Sequence, residues 1–284
     1  MHNAGNSPSS AFTRYRAARP SLPYGVHIAP LQQTQRSESL RTLSGGLAHN
    51  FNNLLAGILG NADLALMDLA SLDGELQPLV ADALCEIRKA AVRGAELTSF
   101  MLAYAGEGGM AFGSLSLADL VEQTAPQLIA TLPCCTHVAY LLDHDVPPLE
   151  ADATDLRQVL SNLVGNAAEA FGTAGGTVHV CVCSNDMNHG ELLDPEGVPL
   201  AAGHYIVLEV IDSGVGMDER TLARVFEPFF TTKFLGRGLG LPAVQGIVRA
   251  HRGAITIQSA VGQGTTVRVF LPCSSTHPLP RGSS

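Results

Sequence analysis

Four groups of residues along this chain carry side chains suited to chemistry on a phosphate group. The first is His49, which lies with Asn50 and Asn53 in Leu-Ala-His-Asn-Phe-Asn-Asn. An imidazole with one unprotonated nitrogen is a nucleophile that can accept a phosphoryl group. On a helix His49 would face away from the apolar side, with Asn53 one turn further along the same face. A helical surface histidine usually has no chemical role, so this interpretation depends on the other three groups.

The second group is a pair of asparagines, Asn162 and Asn166, within a predicted helix. A spacing of four residues puts both amides on one face of that helix. Amide oxygens suit Mg²⁺, which binds through a few protein oxygens together with phosphates and water. Such a pair is common on helix surfaces and is weak evidence when it stands alone.

The third group follows the apolar run Tyr-Ile-Val-Leu-Glu-Val-Ile, where Asp212 precedes Gly214 and Gly216. A carboxylate at the end of a strand can accept a hydrogen bond from an exocyclic amine such as the adenine N6. The two glycines let the backbone bend close to a flat ring. An ordinary Asp-Gly turn is the alternative interpretation and is favoured if this group is taken alone.

The fourth group is a glycine-rich stretch that leads into a predicted helix. Lys233 and Arg237 bring positive charge to it, and Gly238 and Gly240 precede the helix. Backbone amides at a helix N-terminus attract phosphate. Taken together and in this order, the four groups predict binding of ATP with Mg²⁺ and transfer of the γ-phosphate to His49.

A helical hairpin is predicted to carry the histidine. Apolar residues recur every three or four positions from Leu40 to Leu69 and from Leu76 to Tyr104, with a break at 72–74. This pattern predicts two long antiparallel helices over 37–108. One hairpin cannot cover both apolar stripes, so we expect a homodimer in which two copies form a four-helix bundle.

The segment 112–274 is predicted to be an α/β sandwich, a mixed sheet with helices on one face. The overall fold class is therefore α+β, a helical hairpin followed by this second domain. Helices are predicted at 115–132, 152–171, 218–226 and 241–252, and strands at 136–142, 177–184, 204–212, 254–260 and 264–271.

Composition and charge restrict the class of protein further. The 284 residues include 17 basic and 26 acidic side chains, which argues against a binder of nucleic acid through bulk charge. The chain contains no apolar run long enough to span a membrane and no signal peptide. The six cysteines have no zinc-site spacing. We therefore expect a cytoplasmic protein, with flexible tails at 1–36 and 275–284.

The ordered groups resemble the sequence boxes of the two-component sensor histidine kinases. Leu-Ala-His-Asn-Phe-Asn-Asn is similar to their H box, Asn-Leu-Val-Gly-Asn to the N box and Asp-Ser-Gly-Val-Gly to the G1 box. Phe-Glu-Pro-Phe-Phe and Gly-Arg-Gly-Leu-Gly are similar to the F and G2 boxes. The resemblance covers about 37–273. It implies a Bergerat-fold ATP-binding domain of the histidine kinase/Hsp90-like superfamily.

This resemblance implies roles for individual residues. His49 would be the phosphoacceptor, Asn166 the Mg²⁺ ligand, and Asn162 would lie near the phosphates. Asp212 would contact adenine, and Asn53 would place a water for dephosphorylation of a partner. Nearby positions would complete the nucleotide pocket: Gly214 and Gly216 on the adenine side, Gly238 and Gly240 on the phosphate side, and Thr265 or Thr266 as hydroxyl support for adenine.

The implied activity is an ATP-dependent protein histidine kinase that passes its phosphoryl group to an aspartate of a response regulator. The H box is most similar to a nitrogen-regulation-like subfamily, in which an aspartate occupies the position of Asn50. Because an amide cannot act as a base, a phosphatase or phosphotransfer hub of the same architecture is one alternative. An ATPase of the same superfamily, such as a chaperone or topoisomerase subunit, is another, but the hairpin bearing His49 argues against it.

Overall fold

A computed structural model describes the chain in two compact units. The described residues are 25–26, 54–67, 69, 80–88, 90–91, 94, 98, 111–195, 197–233 and 238–273. One unit comprises Gln32–Gly109, and the other comprises Met1–Leu31 together with Met110–Ser284.

The unit Gln32–Gly109 is helical wherever it is described. Residues 54–67 and 80–88 form helical stretches, and the break predicted at 72–74 lies outside the described residues. The helices pack closely, because a Cβ added at Gly94 would lie 2.7 Å from Cδ2 of Leu55. The periodicity of three and four residues therefore corresponds to two helices in contact.

The second unit contains a six-stranded sheet and a two-stranded sheet with helices. In chain order its elements are β1 (Gly25–Val26), β2 (Gly113–Leu115), α1 (Leu117–Thr131), β3 (Thr136–Leu142), β4 (Leu149–Ala151), α2 (Ala153–Glu169), β5 (Gly176–Met187), β6 (Gly203–Ile211), α3 (Glu219–Leu222), α4 (Gly240–Ala250), β7 (Ala254–Ala260) and β8 (Gly264–Pro272). The large sheet has the order β1-β7-β8-β6-β5-β3. Only its β3–β5 pair is parallel, so the predicted mixed sheet is confirmed.

The core of this unit lies between the sheet and its helices. Val180 pairs with Val210 and Val182 with Leu208, and these aliphatic side chains are buried on one face of the sheet. Helices α1, α2 and α4 all contact strands of the sheet. A smaller apolar cluster contains sheet residues that alternate with the first set and residues of the β5–β6 loop: Met187, Leu192, Leu200, Tyr205, Val207, Ala254 and Phe270.

Three short strands were not predicted from the sequence. Strands β2 and β4 pair with each other and have three residues each, which is too short for a period of two to be recognised. Strand β1 lies inside the predicted flexible tail 1–36, yet Gly25 and Val26 pair with the outer side of β7. The outer strand of a sheet presents unpaired backbone groups, which explains why a tail segment can bind there.

The helix predicted at 218–226 is shorter in the structure. Asp218 caps its start by accepting a hydrogen bond from the Thr221 N–H, but α3 ends at Leu222. The residues that follow form turns up to Pro228. The helical part of the predicted segment is therefore a single turn.

Candidate active site

Helix α2 forms one wall of the candidate site. It begins at Asp152, whose carboxylate accepts hydrogen bonds from the backbone N–H groups of Thr154 and Asp155. Its apolar residues are buried in the core, whereas Asn162 and Asn166 are half-buried on another face. Both amides are therefore accessible from solvent, as residues that bind a ligand must be.

The N-terminus of α4 lies directly beside these two amides. A Cβ added at Gly240 would lie 3.2 Å from Oδ1 of Asn162 and 3.6 Å from Nδ2 of Asn166. A glycine at this position lets the backbone approach both amides closely. The N-cap residue of α4, Leu239, makes no side-chain hydrogen bond to the first N–H groups of the helix. A cap does not therefore compete with a ligand for these donors. The structure thus brings the second and fourth sequence groups together in a form suited to phosphate.

Asp212 lies at the end of β6 with its carboxylate held in place. The side chain is only 7 % exposed. Its Oδ1 atom accepts hydrogen bonds from the N–H of Gly214 at 2.8 Å and the N–H of Thr265 at 3.2 Å. These donors fix the orientation of the carboxylate before any ligand arrives.

The loop that follows Asp212 is held between α2 and the β7–β8 hairpin. The N–H of Val215 donates to the carbonyl of Ala170, at the C-terminal end of α2, over 3.1 Å. Gly216 has a φ of +64°, and a Cβ there would lie 1.9 Å from the carbonyl oxygen of Ala260. Only glycine fits this position, because it combines a left-handed backbone with a close backbone approach.

Ser259 is a residue of this region that the sequence analysis missed. Its hydroxyl accepts from the Met217 N–H at 2.9 Å and donates to the Gly264 carbonyl at 3.0 Å. The Thr265 hydroxyl lies 2.9 Å from the same oxygen. A serine within a strand gives no signal in a single sequence. Its buried position, where it joins three backbone segments, could be recognised only from the fold.

The two threonines considered for the adenine side have different positions. Thr265 contacts both Asp212 and Ser259. Thr266 is the next residue of β8, so its side chain points to the opposite face of the sheet, where it is buried. The structure therefore favours Thr265 over Thr266 as a residue of the site.

Lys233 is held close to the C-terminal end of α2. Its Nζ atom lies 2.5 Å from Oε2 of Glu169, and both side chains are partly exposed. The segment before it is joined to the glycine-rich stretch, because the Phe229 N–H donates to the carbonyl of Gly238 over 2.9 Å. Lys233 and Gly238 thus belong to the same region as Asn166.

His49, Asn50, Asn53 and Arg237 lie outside the described residues. The other predicted residues of the nucleotide pocket, except Thr266, surround the C-terminal half of α2 and the end of β6. That arrangement has a carboxylate at one end and paired amides with a helix N-terminus at the other.

Comparison with known proteins assigns this arrangement to a class. Residues 151–275 match the family described as histidine kinase-, DNA gyrase B-, and HSP90-like ATPase. The chain is 33 % identical over 246 residues to the sensor kinase CckA of Brucella abortus, covering 85 % of this chain and 25 % of that protein. It is 32 % identical over 228 residues to the sensory histidine kinase/phosphatase NtrB of Rhodobacter capsulatus, covering 80 % of this chain and 60 % of the relative.

A solved structure agrees with these relatives. Full-length ShkA in complex with AMPPNP has a TM-score of 0.60 and 25 % identity, over 83 % of this chain and 46 % of that chain. These matches extend beyond the ATPase domain into the helical unit, and the chain therefore belongs to the sensor histidine kinases of two-component systems. It spans between a quarter and about 60 % of the length of the curated relatives named above.

Among the residues that the structure describes, no helix is both long enough and apolar enough to cross a bilayer.

Proposed function

We propose that this chain is an ATP-dependent protein histidine kinase that phosphorylates itself on His49 and passes the phosphoryl group to an aspartate of a response regulator. The observation that carries the proposal is the approach of Gly240 to both Asn162 and Asn166, opposite the buried carboxylate of Asp212. A nucleoside triphosphate needs a polar site for its phosphates and a hydrogen-bond acceptor for its base. We propose the cytoplasm as the place of the reaction, because ATP is available there.

The described residues fit ATP at both ends. Asp212 and Thr265 would bind the adenine, with the carboxylate accepting a hydrogen bond from its exocyclic amine. Asn162 and the N-terminus of α4 would bind the phosphates, and the side-chain oxygen of Asn166 would be a ligand of Mg²⁺. Bound Mg²⁺ would neutralise charge on the phosphate oxygens. Lys233 would then exchange Glu169 for a phosphate oxygen as its partner.

The proposed transfer requires little covalent chemistry from the protein. A ring nitrogen of His49 forms a bond to the γ-phosphorus as the bond from that phosphorus to the bridging oxygen breaks, and ADP leaves. The proton on the imidazole is released to water, because the Asn50 amide cannot accept it. Positioning and charge neutralisation therefore dominate the rate, as in phosphoryl transfer generally.

The helical unit supports a homodimer. Its described helices form a groove lined mainly by apolar residues, among them Leu54, Ile58, Leu84 and Ile87. Leu54 is 65 % exposed and Met67 is 71 % exposed. Apolar side chains concentrated on two helices indicate a surface that is covered by another protein. A second copy of the same hairpin has a matching face and would complete a four-helix bundle.

Substitution of Asp212 tests the adenine end of the site. We expect Asp212→Ala to weaken ATP binding by roughly 10- to 100-fold, because it removes a charge-assisted hydrogen bond of about 1.5–3 kcal/mol. Isothermal titration calorimetry measures this directly. Asp194→Ala, which removes a carboxylate from the β5–β6 loop, is a matched control. Unchanged affinity in Asp212→Ala would mean that adenine binds elsewhere.

Substitution of Asn50 tests the proton transfer. A positioned general base contributes about 10²- to 10⁴-fold, and we expect water to replace part of that contribution. We therefore expect Asn50→Asp to phosphorylate itself roughly ten-fold faster or more than the natural chain. Transfer to the regulator should change less, because that step starts from phosphohistidine. Asn50→Ser provides the control without a carboxylate. Equal rates in all three proteins would contradict the role of this position as a base.

The amide at Asn50 also favours a second function, in which the chain mainly dephosphorylates a response regulator. Asn53 would then place the attacking water. The two functions give opposite results with purified components. A kinase labels itself from γ-labelled ATP, whereas a phosphatase takes up no label and accelerates loss of phosphate from a phosphorylated regulator.

A further inference from the structure

The chain enters the ATPase unit through a junction that is bound by one carboxylate. The N–H of Ala111 donates to Oδ2 of Asp152 over 2.8 Å, across 41 positions of sequence. The other oxygen, Oδ1, accepts from the N–H groups of Thr154 at 2.8 Å and Asp155 at 3.3 Å. One oxygen of Asp152 therefore caps α2, while the other holds the backbone of the junction.

A buried histidine completes this contact. His251 follows α4 and is 5 % exposed. Its Nε2 atom accepts the N–H of Asp152 at 3.1 Å, so Nδ1 carries the proton and donates to the Ile247 carbonyl at 2.9 Å. The Phe112 ring packs on the imidazole with 5.1 Å between ring centroids. Both ring nitrogens have partners, and the ring is covered, so His251 is not a phosphate acceptor.

The charges near the junction are consistent with this arrangement. Burial opposes ionisation of Asp152, but the donated hydrogen bonds outweigh it and hold the pKa of this carboxyl below its usual value. Burial raises the pKa of the neighbouring Asp155, and the negative charge of Asp152 adds to that effect. Asp152 is therefore ionised at neutral pH. Its two oxygens can accept hydrogen bonds from Ala111 and from the N-terminus of α2 at the same time.

The contact joins the junction to both helices of the nucleotide site. Asp152 caps α2, which carries Asn162 about 15 Å further along the axis at 1.5 Å per residue. His251 follows α4, whose opposite end begins at Gly240. The contact is too distant to touch a nucleotide at Asn162. It can, however, fix residues 111 and 112, through which the chain enters the ATPase unit, relative to the two helices on which the nucleotide would be bound.

We propose that Ala111 and Phe112, bound to Asp152 and His251, form a junction clamp that positions the ATPase domain for phosphoryl transfer. This proposal rests on the proposed kinase function. Release of the clamp would lengthen the free connection by roughly 7 Å, at 3.3–3.6 Å per extended residue. A longer connection lowers the effective concentration of the γ-phosphate at the acceptor. Asp152 and His251 act as positioning residues, because neither touches the reacting atoms.

Two variants open the clamp in different ways. In Asp152→Asn, the side chain keeps one acceptor oxygen, so it can cap α2 but cannot also accept from Ala111. Asparagine is as good a cap as aspartate, which preserves folding. Phe112→Ala leaves the carboxylate intact and removes the ring from His251. Asp194→Asn, in the β5–β6 loop, is the matched control, because its carboxylate likewise accepts a backbone N–H over 2.8 Å.

The experiment measures four quantities on the full chain: amide hydrogen exchange at 111–115, ATP affinity, and the kcat and KM of self-phosphorylation. In Asp152→Asn and Phe112→Ala we expect faster exchange at 111–115, ATP affinity within about two-fold of the natural chain, and a kcat lower by about ten-fold. The KM for ATP should not change. Asp194→Asn should behave as the natural chain does.

Other results would overturn the proposal in distinguishable ways. Unchanged exchange at 111–115 would mean that the clamp does not exist in solution. Faster exchange with an unchanged kcat would mean that the clamp does not position the domain. A loss of affinity as large as the loss in kcat would mean that it acts through the nucleotide pocket. If the natural chain takes up no label at all, the proposed function fails, whereas the exchange result still decides whether the clamp forms.

Discussion

His49→Ala is expected to abolish the incorporation of acid-labile phosphate from γ-labelled ATP and to leave ATP affinity nearly unchanged. The physical reason is that the phosphate acceptor and the nucleotide pocket belong to different units of the chain. His49 belongs to the unit Gln32–Gly109, whereas the nucleotide pocket is formed by residues of the other unit. Labelling and calorimetry on the same preparation measure the two properties. A parallel loss of ATP binding would show instead that the variant disturbs the pocket or the fold.

His144 provides the matched control for this experiment. It is an exposed histidine of the ATPase unit, with Asp119 and Glu122 each 3.3 Å from one of its ring nitrogens. Nearby carboxylates could assist a nucleophilic imidazole, so His144 is a reasonable acceptor if His49 is not the correct one. We expect His144→Gln to be labelled like the natural chain. If label persists in His49→Ala and disappears in His144→Gln, the acceptor is His144. If both variants keep their label, His137 is the next residue to substitute.

Asn166→Ala is expected to lower Mg²⁺-dependent self-phosphorylation by about 100-fold or more, with much of the adenine contact retained. Loss of one group that stabilises developing charge typically costs 10²- to 10³-fold in rate. The amide lies beside Gly240, at the proposed phosphate end of the pocket and away from Asp212. Initial rates measured over a Mg²⁺ titration, together with ADP and ATP affinities, separate the two ends.

Two further variants support the interpretation of this result. Asn166→Asp keeps an oxygen ligand and should recover part of the lost rate, above all at high Mg²⁺ concentration. Asn188→Ala removes an asparagine from the β5–β6 loop and should have no effect. Full Mg²⁺-stimulated activity in Asn166→Ala would refute its assignment as the metal ligand.

Helix α2 connects the junction clamp to the proposed nucleotide site. Its N-terminal cap, Asp152, holds the junction through Ala111. Its C-terminal half carries Asn162 and Asn166, and the carbonyl of Ala170 just beyond it binds the loop after Asp212. A helix is rigid along its length, so groups attached to it keep fixed distances from one another. This is why a contact far from the nucleotide can be coupled to phosphoryl transfer.

The parts of the fold that could be predicted from the sequence are those with long hydrophobic patterns. Strand β3 was predicted with its observed bounds, and α2 was predicted within two residues at each end. Short elements such as β2 and β4 were missed, because three residues cannot display a period. Chain segments that pair only because a sheet edge is free, as β1 does with β7, depend on the completed fold.

The same division applies to the site. Asp212, Asn162 and Asn166 stand out in the sequence as candidate site residues, because each belongs to a local pattern of residue types, and their roles in nucleotide binding stay predictions. Ser259 and His251 could not be predicted in their roles, because their partners lie far away in sequence. Ser259 binds Met217 across 42 positions, and His251 binds Asp152 across 99. Such contacts are decided by the packing of complete elements rather than by local sequence.

The most direct test of the central claim is to identify the phosphorylated residue itself. The natural chain is incubated with Mg²⁺ and γ-labelled ATP, kept at neutral to alkaline pH to protect phosphoramidates, and digested for mass spectrometric mapping. The account predicts a phosphate that is labile in acid, stable in alkali and located on His49. An acid-stable phosphate on serine or threonine, or a phosphohistidine at any other position, would contradict it.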